Sequence, residues 1–346
     1  MIQDSARLAR TGAAAALALG LLMATGCSST QPAANLPKLK LDPSRTTVSG
    51  LSSGAYMATQ VHMAFSDHIA GVAALAGGPY GCAEGSLEVA LSRCLNPAPD
   101  KLPDVSALAE SAKARAASGA ISPLSGLEGD PVLVMHGTLD TTVGAAVSAA
   151  GAQLYRALGG SVVEEDTGRA MAHTFPTLGA GVACDQSETP YLGKCDFDGA
   201  GEILNKLYPG VGVAVADSAT GELRSFDQTA YRPDGKDAML ADTGYVYVPK
   251  ACAAGETCSL HIALHGCQQN AEAIGDAFAR DAGYNRWADA MHLVVLYPQT
   301  RASYAPLNPK ACWDWWGYSG AGYDTRDGVQ LRWLANAAAA LGAPLR

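Results

Sequence analysis

The residues best suited to chemistry are a serine between two glycines, an aspartate at a strand end and a histidine in a loop. Ser52 stands in Gly50-Leu51-Ser52-Ser53-Gly54, after a predicted strand at 46–48 and before a predicted helix at 55–64. A tight strand–turn–helix leaves no room for flanking side chains and exposes the serine hydroxyl at a helix N-terminus. A glycine-rich turn with a capping serine can have the same residues. The position of the motif between a strand and a helix therefore argues for a nucleophile more strongly than the motif does.

A serine hydroxyl needs a base to take its proton and a carboxylate to orient that base. His173 lies in a loop after the predicted strand 161–165, where an imidazole can reach over the sheet edge. Asp140 follows the predicted strand 131–135, although a turn or cap residue often has that position. The order Ser52, Asp140, His173 is that of α/β-hydrolase triads.

Other histidines fit structural positions better, and we expect a local hydrogen bond from the one that precedes Gly137. They are His62 and His68 on or just after the helix behind Ser52, His136 at a strand end, His261 inside a strand as a core residue and His292 at a strand start.

Acyl transfer also requires N–H donors for the developing oxyanion. One is the backbone N–H of Ser53, after the nucleophile, and the other usually comes from a His-Gly loop that follows an earlier strand. His265-Gly266-Cys267-Gln268-Gln269 fits, after the predicted strand 259–264, but it follows the triad in sequence. The sequence therefore predicts a circularly permuted chain that starts at the nucleophile strand, with its two termini close together.

Short apolar runs alternate with Ala-rich helical stretches, which favours an α/β fold with a mainly parallel central sheet and flanking helices. We interpret residues 41–346 as one catalytic domain. The runs 244–249 and 259–264 are predicted to pair as a hairpin across the loop that holds Cys252 and Cys258. The remaining elements are predicted at 69–75 (strand), 292–297 (strand) and 327–341 (C-terminal helix).

The composition excludes two classes of protein. Of the 346 residues, 48% are hydrophobic and 16% are charged, so a mostly disordered chain is excluded. The net charge is −9 and no Lys/Arg cluster occurs, which argues against a general nucleic-acid-binding protein.

The N-terminus is typical of an exported protein. Arg7 and Arg10 precede an apolar stretch at 13–24, which is too short to span a bilayer, and small residues follow. We therefore interpret residues 1–26 as a signal peptide.

The end of this segment, Met23-Ala24-Thr25-Gly26-Cys27, is similar to a bacterial lipoprotein box, with Ala24 where leucine is usual. Lipidation of Cys27, followed by a tether over 27–40, predicts an outer-membrane or cell-surface lipoprotein. A plain signal peptide and a free thiol would instead predict a secreted or periplasmic protein.

The cysteine count agrees with export. Nine cysteines occur, and if Cys27 carries lipid an even number remains for an oxidising compartment. Pairing of nearest neighbours predicts the disulfides Cys82–Cys94, Cys184–Cys195, Cys252–Cys258 and Cys267–Cys312.

Taken together, the motifs resemble the single-domain poly(3-hydroxybutyrate) depolymerases, a circularly permuted branch of the α/β-hydrolases. The motifs span nearly all of the chain after the tether: GLSSGAYM at 50–57, AGGPY at 76–80, DTTV at 140–143, HTFP at 173–176, HGCQQ at 265–269 and CWDWW at 312–316.

The resemblance implies roles for these residues. Ser52 is the expected nucleophile, His173 the base, Asp140 its partner, and the N–H groups of Ser53 and Cys267 the oxyanion hole. A Cys267–Cys312 disulfide would fix the oxyanion loop beside the tryptophan segment. The resemblance also implies an aromatic substrate wall; Trp315 and Trp316 are the candidates, and Trp313 is expected in the core.

The expected activity is that of a monomeric serine esterase that cleaves poly(3-hydroxybutyrate), related polyesters or their oligomers through an acyl-enzyme on Ser52, with no metal or other cofactor. Because the sequence has no separate polymer-binding domain and a lipid anchor would hinder contact with solid polymer, oligomers or small esters are the favoured substrates. Two alternatives remain open: a feruloyl or acetyl-xylan esterase with the same triad, and a non-catalytic surface lipoprotein on a hydrolase scaffold.

Overall fold

In the computed structural model, which describes residues 35–346, buried apolar runs form an eight-stranded sheet with helices on both faces. The strands, including those of two small sheets, are β1 (Leu41–Leu51), β2 (Ile69–Leu75), β3 (Pro131–Gly137), β4 (Val162–Arg169), β5 (Phe175–Thr177), β6 (Val182–Ala183), β7 (Leu192–Lys194), β8 (Glu222–Asp227), β9 (Thr243–Val248), β10 (Cys258–Leu264), β11 (Leu293–Tyr297), β12 (Ser303–Tyr304) and β13 (Leu307–Asn308). The helices are α1 (Ser53–Ala64), α2 (Leu87–Arg93), α3 (Val105–Ala117), α4 (Ala145–Leu158), α5 (Gly199–Leu207), α6 (Lys250–Ala253), α7 (Ala271–Ile274), α8 (Ala277–Asp281), α9 (Tyr284–Met291) and α10 (Val329–Leu341). Short 3-10 helices lie at Pro99–Lys101, Leu124–Leu127, Gln228–Tyr231 and Pro233–Gly235.

The main sheet has the strand order β4-β3-β2-β1-β10-β11-β9-β8. The pairs from β4 to β11 are parallel, whereas β9 runs antiparallel to β11 and β8. Because the carboxyl ends of parallel strands meet at one edge of a sheet, the loops after β1, β3 and β10 share that edge. The predicted mainly parallel α/β fold is confirmed.

The two faces of the sheet are filled by separate apolar clusters, because successive strand side chains point to opposite sides. Val48, Val72 and Ile262 face α1, α4 and α10 in one cluster. Leu51 and Leu75 belong to the other, which includes residues of α5 and α9. Burial on both faces makes the central strands nearly continuous apolar runs.

The predicted hairpin of 244–249 with 259–264 is wrong. β11 lies between β9 and β10, and β10 pairs with β1 and β11 in parallel. Every residue of β10 is buried, so this strand needs a neighbour on each edge inside the sheet. The loop between β9 and β10 instead forms α6, bridged by the disulfide Cys252–Cys258.

The other predicted elements are present, with shifts of up to five residues at their ends. The strand 69–75 agrees in full, the C-terminal helix begins at Val329, two residues later than predicted, and the nucleophile strand extends over Leu41–Leu51. Sequence periodicity finds the middle of an element more reliably than its ends, because capping contacts set the ends.

The N-terminal predictions fall mostly outside the described residues: the signal peptide at 1–26, Cys27 and the tether up to residue 34. From residue 35 the chain packs on the body of the protein. Leu36 is buried and its N–H donates to the Tyr231 hydroxyl at 2.7 Å, and the N–H of Leu39 donates to the carbonyl of Leu341 at 2.9 Å. The start of β1 and the end of α10 are therefore neighbours. In the part of the chain that the structure describes, no helix is long and apolar enough to cross a membrane.

Candidate active site

Ser52 occupies a sharp turn between β1 and α1. Its backbone has φ 57° and ψ −121°, a conformation that non-glycine residues rarely adopt. The turn is held by the Ser52 N–H, which donates to the Leu75 carbonyl at 2.9 Å, and by the Ala55 N–H, which donates to the Ser52 carbonyl at 2.9 Å. This geometry is that of a nucleophile elbow, which raises the hydroxyl above the sheet at a helix N-terminus.

The two flanking glycines are required by close backbone contacts. A Cβ on Gly50 would lie 2.2 Å from the carbonyl oxygen of Gly54. A Cβ on Gly54 would lie 2.4 Å from the carbonyl oxygen of Leu264, at the end of β10. Any side chain here would separate the elbow from its neighbouring strand, as the motif predicted.

Asp140 and His173 form a hydrogen-bonded pair at the same edge of the sheet. The Asp140 Oδ2 lies 2.8 Å from the His173 Nδ1, and the Asp140 side chain is fully buried. The other carboxylate oxygen accepts the N–H groups of Thr142 at 2.8 Å and Val143 at 3.0 Å. The carboxylate is thereby fixed by the turn after β3 and can orient the imidazole.

Burial and hydrogen bonding act on Asp140 in opposite directions. Burial alone would raise the pKa of its carboxyl, but the hydrogen bond and charge interaction with His173, together with the N–H groups of Val143 and Thr142, hold this pKa below its ordinary value. The group is therefore a carboxylate at neutral pH, which is the form that holds a proton on the His173 Nδ1.

Ser52 and His173 line one cavity of about 470 Å³ at the carboxyl edge of the sheet. In residues 35–346 no hydrogen bond joins the Ser52 hydroxyl to the His173 ring. Hydrogen bonds between a nucleophile and its base are often long without substrate and shorten in the complex. The structure thus brings the three predicted triad residues to one site.

The predicted oxyanion donors border the same cavity. A Cβ on Gly266 would lie 3.5 Å from the Cβ of Ser52, so the loop after β10 packs directly against the elbow. Cys267 is joined to Cys312 by a disulfide. Within residues 35–346, the N–H groups of Ser53 and Cys267 donate to no protein acceptor, so both are free to meet an oxygen of a bound substrate.

The peptide that carries the Cys267 N–H is held by its carbonyl. The His265 Nδ1 lies 2.7 Å from the Gly266 carbonyl oxygen, and its Nε2 accepts the Thr300 N–H at 3.2 Å. The ring proton must therefore lie on Nδ1. Burial lowers the pKa of His265 to about 4, which keeps the ring neutral in this tautomer at ordinary pH.

The remaining histidines have structural partners or lie at the surface. His261 is buried between the hydroxyls of Thr47 and Ser49, each at 2.8 Å, and His62 pairs with Asp130 at 3.0 Å. The His136 Nε2 contacts the Val143 carbonyl at 2.8 Å, which is the local hydrogen bond that the sequence predicted. His68 and His292 are partly exposed.

The chain is similar to known depolymerases over most of its length. A family model described as "Esterase PHB depolymerase" matches residues 243–338. A poly(3-hydroxybutyrate) depolymerase of Delftia acidovorans is 40% identical over 332 aligned residues, which cover 94% of this chain and 64% of that enzyme. A polyhydroxybutyrate depolymerase of Talaromyces funiculosus is 37% identical over 312 aligned residues, covering 86% of this chain and 89% of that enzyme. The chain belongs to the poly(3-hydroxybutyrate) depolymerase family.

Two solved structures of PHB depolymerases have the same fold. A PHB depolymerase from Penicillium funiculosum matches with a TM-score of 0.78, and a PHB depolymerase variant complexed with an R3HB trimer matches with a TM-score of 0.79. Each is 33% identical to this chain, and each match covers 90% of this chain and 98% of the other. The family resemblance found in the motifs is confirmed by fold.

In this PHB depolymerase family member an aromatic wall borders the cavity. Trp315 stacks on Tyr56 with ring centroids 4.5 Å apart and planes at 17°, and Trp316 lies edge-on to Trp315 at 5.5 Å. Both tryptophans line the cavity with Ser52. Trp313 is fully buried and its Nε1 donates to the His265 carbonyl at 3.1 Å, as expected for a core residue.

Sequence reasoning missed part of the cavity wall. Leu87, Leu91 and Leu95, on and just after α2, line the cavity, as do Tyr56 and Tyr191. The spacing of four residues between the leucines was a signal for one helix face. Nothing in the sequence indicated that this face would meet the elbow, since that contact joins segments far apart in the chain.

The structure contains the four disulfides expected from nearest-neighbour pairing: Cys82–Cys94, Cys184–Cys195, Cys252–Cys258 and Cys267–Cys312. Cys82–Cys94 closes the segment that carries α2, and Cys267–Cys312 ties the loop after β10 to the tryptophan segment. These two disulfides therefore hold two walls of the cavity.

Proposed function

We propose that this protein is a serine esterase that hydrolyses poly(3-hydroxybutyrate) or its oligomers through an acyl-enzyme on Ser52. One observation carries the proposal: a single cavity is lined by Ser52 in an elbow and by His173, which is hydrogen bonded to the buried Asp140. Family membership with the Delftia and Talaromyces depolymerases supports the substrate class.

In the proposed mechanism the Ser52 Oγ attacks an ester carbonyl while the His173 Nε2 takes the hydroxyl proton. Asp140 keeps the imidazole in the tautomer with a proton on Nδ1 and stabilises the imidazolium. The N–H groups of Ser53 and Cys267 stabilise the oxyanion of the tetrahedral intermediate. His173 then gives its proton to the leaving alkoxide oxygen, which departs as an alcohol, and water that it activates cleaves the acyl-enzyme.

The wall of the cavity supports an uncharged ester with small apolar branches as the substrate. Leu87, Leu91, Trp315 and Trp316 present apolar surface beside Ser52. A chain of 3-hydroxybutyrate units carries one methyl group per ester and no charge until its end. We propose Trp315 and Trp316 as substrate contacts, and oligomers as well as polymer as substrates.

We also propose that the chain is a circular permutation of the α/β-hydrolase order. If the strands are counted from β8, then β10 is the third strand, and the loop that carries Cys267 follows it. α/β-hydrolases take their second oxyanion N–H from the loop after the third strand. The hydrogen bond between Leu39 and Leu341 supports a catalytic domain whose first strand and last helix lie side by side.

For the whole chain we propose export by a signal peptide at 1–26, lipidation of Cys27, a tether over 27–40, a catalytic domain over 41–346 and a monomeric state. The four disulfides support an oxidising compartment.

The test is hydrolysis by residues 28–346 beside the Ser52→Ala variant, with amorphous poly(3-hydroxybutyrate), its soluble oligomers and a feruloyl ester as substrates. Release of 3-hydroxybutyrate units by the parent and a loss of several orders of magnitude in the variant support the proposal. Activity on the feruloyl ester alone would replace the substrate class and keep the triad. Equal activity in the variant would overturn the assignment of Ser52.

A further inference from the structure

We propose that Gln269 is a positioning residue for the oxyanion hole. Its side chain holds the turn that carries the Cys267 N–H and connects this turn to the loop closed by the Cys184–Cys195 disulfide. The inference rests on the proposed function, in which the Cys267 N–H is an oxyanion donor.

The Gln269 side chain is fully buried, and all of its polar atoms are used. Its Oε1 accepts the Gly266 N–H at 2.8 Å. Its Nε2 donates to the carbonyl oxygens of Pro190 at 3.1 Å and Tyr191 at 2.9 Å. A buried amide with both ends satisfied has one favoured orientation, because any rotation would leave a polar atom without a partner.

The Gln269 side chain holds the Gly266 N–H, and two further bonds hold the Gly266 carbonyl, which belongs to the peptide that carries the Cys267 N–H. The Gln269 backbone N–H donates to the Gly266 carbonyl at 3.2 Å, and the His265 Nδ1 bonds to the same oxygen at 2.7 Å. Because a trans peptide is planar, its N–H points away from its carbonyl oxygen. Fixing the Gly266 carbonyl therefore directs the Cys267 N–H to the opposite side of the turn.

Gly266 lies between the glutamine and the candidate nucleophile. A Cβ placed on Gly266 would be 3.3 Å from the Gln269 Oε1 and 3.5 Å from the Ser52 Cβ. A small displacement of the Gln269 side chain would therefore let the turn move relative to Ser52. Distances at an oxyanion hole matter, since a misplacement of about 1 Å can cost about 100-fold in rate.

The other end of Gln269 reaches a loop that also supports the candidate base. Tyr191 lines the cavity, and the Ser187 hydroxyl donates to the His173 carbonyl at 3.1 Å. The N–H of Ala172 donates to the Cys184 carbonyl at 2.9 Å. The Cys184–Cys195 loop thus contacts the His173 segment directly and the oxyanion turn through Gln269.

The test compares Gln269→Met with the parent on a soluble 3-hydroxybutyrate oligomer. Methionine has a similar shape and cannot form these hydrogen bonds. We expect kcat per folded protein to fall roughly 10–100-fold, less than or equal to the loss of a whole oxyanion donor, with KM changed by less than about threefold. A trifluoromethyl ketone analogue of the substrate, which forms a tetrahedral adduct on Ser52, should lose affinity by the same factor as kcat/KM.

Asn285, on α9, offers a matched control that does not line the cavity. It is also buried, its Nδ2 donates to the Ala279 carbonyl at 2.8 Å, and its Oδ1 accepts the Tyr297 hydroxyl at 2.7 Å. Asn285→Leu, which keeps the shape and removes both hydrogen bonds, should lower the thermal midpoint comparably and leave kcat and the inhibitor affinity of the folded protein unchanged.

The outcomes separate this inference from the proposed function. If Gln269→Met keeps kcat within twofold, or if Asn285→Leu loses kcat equally, the positioning role is wrong while the esterase proposal stands. If Ser52→Ala retains full activity, the proposed function fails first. Should Gln269→Met not fold, Gln269→Glu, which keeps an acceptor for the Gly266 N–H, is expected to lose the bonds to Pro190 and Tyr191 and to show the same loss of kcat and inhibitor affinity; unchanged values would contradict the role.

Discussion

Two buried side chains beside the reactive groups of this site, Asp140 and His265, have a hydrogen-bond partner for every polar atom. Asp140 receives two backbone N–H groups besides His173, and His265 is held between the Gly266 carbonyl and the Thr300 N–H. Each contact limits rotation of a group whose direction matters for acyl transfer. At this scale the site consists of a few oriented atoms inside a polar network.

Asp140→Asn should leave the shape of the site intact and impair catalysis. The amide can donate to the His173 Nδ1, which favours the tautomer with its proton on Nε2, and that nitrogen can no longer take the Ser52 proton. We expect kcat to fall by about 10⁴-fold, as for the equivalent change in a serine protease triad. Steady-state kinetics on a soluble oligomer measures this, and a loss below tenfold would show that Asp140 is not the orienting group.

Two buried histidines, His261 and His265, should make the protein less stable in acid below about pH 6.5. Burial lowers the pKa of His261 to about 3 and that of His265 to about 4, whereas an unfolded chain binds the proton near pH 6.5. The unfolded state therefore gains protons first as the pH falls. The free energy of unfolding should be highest above pH 6.5 and decrease by up to about 1.4 kcal/mol per pH unit for each group until its folded pKa is reached.

Denaturant unfolding at a series of pH values checks this dependence. In His261→Gln the slope between pH 6 and pH 4 should be smaller than in the parent by up to one proton. Ser118→Ala, at an exposed position and without change to a titratable group, is the control and should keep the parent slope. Equal slopes in the parent and His261→Gln would show that His261 does not cause the acid sensitivity.

At the scale of elements, the cavity is built where three segments distant in sequence meet. The β1–α1 elbow supplies the candidate nucleophile, the loop after β10 supplies the candidate oxyanion donors, and α2 with the tryptophan segment supplies apolar walls. Motif reasoning identified the first two because each is a local strand–loop pattern. It missed α2, whose role depends on a fold-level contact, and it paired β9 with β10 because neighbouring runs in sequence usually pair.

The exposed leucines of α2 should contribute to substrate binding. Leu91 lines the cavity with 58% of its surface exposed, so Leu91→Asp should leave stability nearly unchanged. Because the carboxylate would face an uncharged ester, we expect KM for a soluble oligomer to rise by roughly 10-fold, which corresponds to the loss of one well-placed apolar side chain. Leu102→Asp, at a position 38% exposed and away from the cavity, is the control. An unchanged KM in Leu91→Asp would exclude α2 from the binding surface.

At the scale of the whole molecule, the proposed lipid anchor on Cys27 would determine where the enzyme meets its substrate. Leu36 is already buried against the body of the protein, so only a short segment would separate a lipid on Cys27 from the catalytic domain. The lipid would therefore keep the cavity close to the membrane. An anchored enzyme would encounter diffusing oligomers more easily than a solid granule.

Cys27→Ser is therefore expected to move the protein from the detergent-extracted membrane fraction to the soluble fraction when the full chain is produced in bacterial cells. Fractionation and intact mass measure the anchor, because a lipidated parent is heavier than its processed polypeptide. Ser29→Ala should remain with the membrane. A parent found wholly in the soluble fraction would favour a plain signal peptide.

The sequence by itself determined the features that arise from local rules: the family, the mainly parallel α/β fold and the pairing of neighbouring cysteines. It also singled out Ser52, Asp140 and His173 as candidates, because a tight turn demands glycine and because reactive side chains follow strand ends. Only the tertiary structure decided that β11 separates β9 from β10, that Trp315 stacks on Tyr56 and that Gln269 bridges the turn after β10 and the Cys184–Cys195 loop. Those features depend on contacts between segments far apart in the chain, whose packing and hydrogen bonding no local pattern specifies.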